Sequence, residues 1–187
     1  MKKLLLNRMS LVAFLAAGLI YVAAAPIALG QLGTPAAPSM KLQGLDGKVY
    51  DIADQRGNVV LVSFGATWCA PCTTELKALE ELLVEYRDQP VRFFWVSIER
   101  PEEVTNGALK RYARERKVSF PVLRDTAKMV FLQFSPRVRL PMVVFFGKDG
   151  KVDGTAQFGM RSPADAYKSD MRARLNKLLR ARAEADR

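Results

Sequence analysis

Hydrophobic positions along the chain fall into blocks whose period changes from two to about 3.6 and back. "KLQGLDGKVYDI" (41–52) sets two short alternating runs around Asp46-Gly47, a hairpin signal. "NVVLVSF" (58–64) is a continuous apolar, β-branched run of the kind that forms a strand buried on both faces. Leu76, Leu79, Leu82, Leu83 and Tyr86 then recur at helical spacing and mark one face of a helix. "VRFFWVSI" (91–98) is the next buried strand. Pro101, Glu102 and Glu103 read as the opening turn of a helix that runs on through Leu109, Tyr112 and Ala113. "FPVLRD" predicts a short strand, "AKMVFLQF" a short helix and "MVVFF" a strand. "GKDGK" is a hairpin turn with "VDGTAQF" as the partner strand. Ser162-Pro163-Ala164-Asp165 caps a last helix, with Pro at its first position and Ala166, Leu175, Leu178 and Leu179 turned inward. The order hairpin, β, α, β, α, β, α, β-hairpin, α predicts an α/β domain built on a mixed sheet covered by helices. There is no internal repeat.

The N-terminus follows another rule. Lys2, Lys3 and Arg8 precede "LVAFLAAGLIYVAAA" (11–25), which carries no charge. A basic segment, an apolar segment and small residues describe a secretory signal peptide. Extended to Leu29, the same run approaches the ~20 residues that span a bilayer. Residues 1–30 are therefore a cleaved signal or an uncleaved membrane anchor, and either places the remainder outside the cytoplasm. Residues 31–39, "QLGTPAAPS", read as a linker, and 40–187 as the folded domain.

Net charge is +10, of which about +7 remains when Lys2, Lys3 and Arg8 are discounted. The basic residues are scattered apart from a C-terminal cluster that reads as a solvated helix face. No zinc-finger spacing or aromatic-basic signature points to nucleic acid. The chain has no histidine, which removes Ser-His-Asp and Cys-His nucleophile chemistry, imidazole metal ligands and C-x-x-C-H haem attachment.

Both cysteines lie in "FGATWCAPCTTE" (64–75), as Cys69 and Cys72. As a staple they would close so short a loop that the chain-entropy model gives only about 2 kcal/mol. As metal ligands they fill half a zinc shell, with no histidine to complete it; a site shared across a dimer or copper(I) on two thiolates are the metal readings left. As a reactive pair they stand after a buried strand and at the start of an amphipathic helix. There the free N–H groups and the dipole favour a thiolate on Cys69, and Cys72 lies one turn further on. Pro71 suits a first helical turn. Trp68 either shields the Cys69 sulfur and offers a flat apolar contact, or simply packs in the core.

"ATWCAPCTTE" resembles the TlpA/ResA group of exported thioredoxin-like thiol–disulfide oxidoreductases. "LQGLDGKVYDIADQRGNVVLVSF", "VSFPVLRD" and "LPMVVFFGKDGKV" resemble that group's other landmarks, so the likeness covers about residues 40–179. It implies a thioredoxin-like fold with an N-terminal β-hairpin, and a central insertion between Glu102 and Arg116. Pro141 matches the group's cis-proline facing the Cys pair, and Leu140 the residue whose backbone binds an extended substrate. Glu75 matches an acid that takes the Cys72 proton; read from the residues alone, it is equally a solvated acid complementing the helix N-terminus. Ser63 stands where thioredoxin has a buried Asp. Gly65 replaces a usual Trp and Met142 a usual Thr, both expected beside the substrate groove.

The resemblance implies an extracytoplasmic reductase of specific protein disulfides, of the cytochrome c or copper-oxidase maturation type. It needs no cofactor and draws electrons from a membrane thiol transporter. The alternative is a non-catalytic copper(I)-binding or adaptor module; two Cys, no His and seven scattered Met favour catalysis. A peroxidase would need a Thr-x-x-Cys nucleophile with an activating Arg, which is missing in that setting.

Overall fold

Every residue of β3 (Val59–Gly65) is buried, and its side chains alternate between the two faces of the sheet. Val59 and Leu61 join one core with Phe93, Trp95, Val143 and Phe145. Val60, Val62 and Phe64 join a second with Phe94, Val96, Met142, Val144 and Phe146. The computed structural model describes residues 37–185, so the expected export segment (1–30) and positions 31–36 of the expected linker lie outside the described residues.

Seven strands form one mixed sheet in the order β2-β1-β5-β4-β3-β6-β7. They are β1 (Lys41–Gly44), β2 (Val49–Asp51), β3, β4 (Val91–Ser97), β5 (Val122–Arg124), β6 (Met142–Phe146) and β7 (Gln157–Phe158). β3, β4 and β5 run parallel, while β1, β6 and β7 pair antiparallel to their neighbours. The helices are α1 (Ala70–Glu85), α2 (Asn106–Glu115) and α3 (Ala164–Ala185). All three contribute to the first core: Leu76, Leu79 and Leu82 from α1, Leu109 and Tyr112 from α2, Tyr167, Met171, Leu175 and Leu178 from α3. The opposite face is closed by Met40 and by two 3-10 turns, through Ile52 and Phe131.

Four local expectations change. The insertion helix starts at Asn106, because Thr105 Oγ1 accepts the Ala108 N–H at 3.2 Å and caps it. Pro101 to Val104 instead form a turn, held by Glu103 accepting the Arg100 N–H at 2.7 Å. "AKMVFLQF" shrinks to a 3-10 turn over Phe131–Gln133, tied down by the Asp125 carboxylate on the Phe131 N–H at 2.7 Å. The strand expected in "VDGTAQF" is only Gln157–Phe158 plus a bridge at Val152, since Arg174 and Lys177 draw Asp153 toward α3. On α3 the buried face is Tyr167, Met171, Leu175 and Leu178, with Ala166 and Leu179 only half-buried.

Candidate active site

The parity of β3 delivers the site. Ser63 and Gly65 share the helix-side face of Val59 and Leu61, and the chain then turns through Ala66-Thr67-Trp68 into α1. Cys69 is the N-cap of α1: its backbone is extended, and its sulfur accepts the Cys72 N–H at 3.2 Å. Pro71 lies in the first turn, where its missing N–H costs nothing. Cys69 and Cys72 form a disulfide. The two residues differ in exposure: Cys69 is 5% exposed and Cys72 is 0%. Leu140 packs on the cluster of Ala66, Cys69 and Cys72, and the Leu140–Pro141 peptide is cis. Trp68 is 66% exposed beside Cys69, so its core-packing reading fails.

Glu75 is buried completely, which overturns its reading as a solvated acid. Its Oε2 accepts from Ser63 Oγ at 2.7 Å and its Oε1 from Tyr167 OH at 2.6 Å. Burial pushes its pKa from 4.5 up to about 7, against the pull of the two hydroxyls. Gly65 and Met142 are both buried, at the end of β3 and the start of β6. A Cβ at Gly65 would stand 2.5 Å from Trp95 Nε1, so the space left by the missing Trp side chain is filled by an indole from the neighbouring strand.

One acid at the site carries no local cue in the sequence. Glu99, just past β4 and 2% exposed, accepts the Thr67 N–H at 2.9 Å and the Thr67 hydroxyl at 2.6 Å, and Ser97 Oγ donates to it at 3.1 Å. It clamps the loop two residues ahead of Cys69. Its position at the carboxyl end of a parallel strand is where open α/β sheets build sites, and that is the one hint available. Glu99→Ala is expected to cost about 1–3 kcal/mol in urea unfolding, because Thr67 loses its acceptor. Glu99→Gln, which keeps an acceptor oxygen, should cost less than half as much; equal losses would assign the effect to charge instead.

Among the described residues no cluster of three or more Cys, Asp or Glu is placed to hold a metal ion. No helix among them is long and apolar enough to cross a membrane.

A model described as the AhpC/TSA family matches residues 34–155, more than half of the chain. The chain belongs to the AhpC/TSA family. Within it, thiol-disulfide oxidoreductase ResA of Bacillus anthracis is 29% identical over 116 residues, covering 62% of this chain and 64% of that protein. The chain therefore spans 64% of that relative's length. Thioredoxin-like protein YneN of Bacillus subtilis is 35% identical over 91 residues, 48% of this chain and 51% of that one. Among solved structures, the exposed lipoprotein thioredoxin of Streptococcus pneumoniae aligns with a TM-score of 0.62 at 25% identity, covering 75% of this chain and 99% of that one. StoA from Bacillus subtilis aligns at 0.57 and 18% identity, over 72% and 98%, and supports the fold alone. The thioredoxin-like fold and the likeness to ResA-type proteins read from the sequence are borne out by this AhpC/TSA family member.

Proposed function

We propose that this protein is an extracytoplasmic thiol–disulfide oxidoreductase that works as a reductase of specific protein disulfides. The observation that carries the reading is the unequal pair. Cys69 caps a helix N-terminus, its sulfur accepts a backbone N–H and the residue keeps a small exposed fraction, while Cys72, one turn along, is fully buried.

In the reduced protein the Cys69 thiolate attacks one sulfur of the substrate disulfide. A Cys69–substrate bond forms and the other substrate sulfur leaves with the electron pair. Glu75 takes the Cys72 proton, and the Cys72 thiolate then attacks the Cys69 sulfur. The Cys69–Cys72 disulfide forms, and the second substrate sulfur leaves as a thiolate and is protonated. The substrate is reduced by two electrons and the pair oxidised by two. Trp68 and Leu140 flank Cys69 and supply apolar and backbone contact for an extended substrate held against Pro141. Two further electrons, from a membrane thiol transporter, reset the pair. Substrates of the cytochrome c or copper-oxidase maturation type fit the likeness to ResA. The N-terminal segment would deliver the domain to the outer side of the membrane, as a signal or as an anchor.

Alkylation of the native reduced protein at neutral pH tests the reading. A single label on Cys69, with catalytic turnover in an insulin-reduction assay, is the expected result. Equal labelling of both cysteines without turnover, or stoichiometric copper(I) binding in its place, would sink it. In cells Cys72→Ser should hold the mixed disulfide on Cys69 and name the substrate.

A further inference from the structure

Glu75 has an acceptor on each side of its carboxyl and a hydroxyl on each. Ser63 Oγ comes from β3, within the sheet beneath α1; Tyr167 OH comes from α3, 92 positions along the chain. All three side chains are 0% exposed. The 2.6 Å contact from Tyr167 has the length of a charge-assisted O–H···O⁻ bond. The other buried positions on that face of α3, Met171, Leu175 and Leu178, are apolar, so packing alone does not ask for a phenol at position 167.

The register of α3 on α1 is fixed independently. Lys168 reaches Glu81 at 2.5 Å, and Arg172 grips Glu85 through two bonds of 2.6 and 2.7 Å. Tyr86 OH donates to Asn176 at 2.9 Å. Each step forward on α1 meets a step forward on α3, so the helices run side by side in the same direction. The start of α3 therefore lies against the first turns of α1, where the cysteines are.

We propose that Tyr167, together with Ser63, is a positioning residue for the thiol reaction: their hydroxyls hold Glu75 one helical turn from Cys72 in a form able both to take and to release a proton. This rests on Glu75 being the proton partner of Cys72. Hydroxyls suit the task where cations would not. Beside the carboxylate each hydroxyl donates; once Glu75 carries the Cys72 proton, one hydroxyl turns and accepts it. A Lys or Arg at either place could only donate and would lock Glu75 as an anion. The groups in contact with Glu75 are Ser63 from β3 and Tyr167 from α3, Cys72 precedes it by three residues on its own helix, and no charged group contributes to its shift. Tyr167 itself is pushed well above the usual phenol range by burial and by Glu75, so it keeps its proton throughout the working range.

The test is the pH dependence of single-turnover reduction of a disulfide peptide between about pH 5 and 9, in wild type, Tyr167→Phe, Ser63→Ala and Glu75→Gln. Removing one donor should move the acid limb of the rate profile up by about one pH unit and slow the reaction at pH 7 by about fivefold. An acid limb left in place in Tyr167→Phe, with only the melting temperature lowered, overturns the proposal. If Tyr167→Phe does not fold, an unmoved limb in Ser63→Ala does the same. Glu75→Gln separates the two levels. A wild-type limb in that variant removes Glu75 from the reaction; a limb lost there but unmoved in the hydroxyl variants removes only the role given to Tyr167 and Ser63.

Discussion

Tryptophan placed at position 65 is expected to prevent folding, and alanine there to cost about 1–3 kcal/mol. Gly65 ends β3 in register with Ser97 of β4 and is buried. A Cβ on it would meet Trp95 at 2.5 Å from Nε1 and at 3.0 Å from two ring carbons. The indole has nowhere to retreat. It stacks on Tyr112 at 5.7 Å between ring centroids, with the rings 16° from parallel. Tyr112 carries the Arg116 guanidinium over its ring at 3.5 Å and shares a hydrogen bond with Thr73 Oγ1 at 3.1 Å. Trp95 Nε1 is itself buried without a partner, so the core already bears one unpaired donor to keep this ring in place. Trp95→Leu alone should cost a few kcal/mol in lost packing. Combined with Gly65→Ala it should cost less than the sum of the two, by about 1–2 kcal/mol, because the space vacated by the indole accepts the new methyl. Urea unfolding of the four proteins measures this; strict additivity would show that Trp95 is not what excludes a side chain at 65.

The same residues show what a linear reading reaches. β3, α1 and the Cys pair were legible because each is local: an apolar run, a 3.6 period, a spacing. The departure at Gly65 was also legible, but its consequence was not. The ring that fills the space comes from β4, and only the parallel pairing of Ser63 with Trp95 brings the two together. Pro101-Glu102-Glu103 has the composition of a helix start, yet Thr105 makes the cap, since a hydroxyl aimed at a free N–H outweighs a proline and two acids merely nearby. Tyr167 and Glu99 were invisible as site residues for one reason. Each meets its partner across the fold, at separations of 92 and 32 positions. The face read for α3 from the sequence held Ala166, Leu175, Leu178 and Leu179 and left Tyr167 out, and nothing local says that its hydroxyl meets an acid.

Glu75→Gln is expected to stabilise the protein by about 3 kcal/mol at pH 8 relative to its effect at pH 4, while slowing disulfide reduction by about a hundredfold at pH 7. Burial raises the carboxyl from 4.5 in the unfolded chain to about 7 in the folded one. Between those values the folded state holds the proton more tightly than the unfolded state. Wild-type stability therefore falls as pH rises from about 4.5, and the loss is complete above about 7. Glutamine has the same shape and no titration, so the difference between the two proteins isolates this one group. Urea unfolding of the oxidised proteins across that range should show the gap opening in that window and then staying level. A gap that does not change with pH would mean that Glu75 is not held as a raised, buried acid. The direction matters for function. A core acid that destabilises the fold at working pH has no structural reason to be there when glutamine would satisfy Ser63 and Tyr167 as well. What glutamine could not do, in the mechanism proposed above, is take a proton from Cys72, and a carboxyl pKa near 7 suits Glu75 to accept that proton and to give it back.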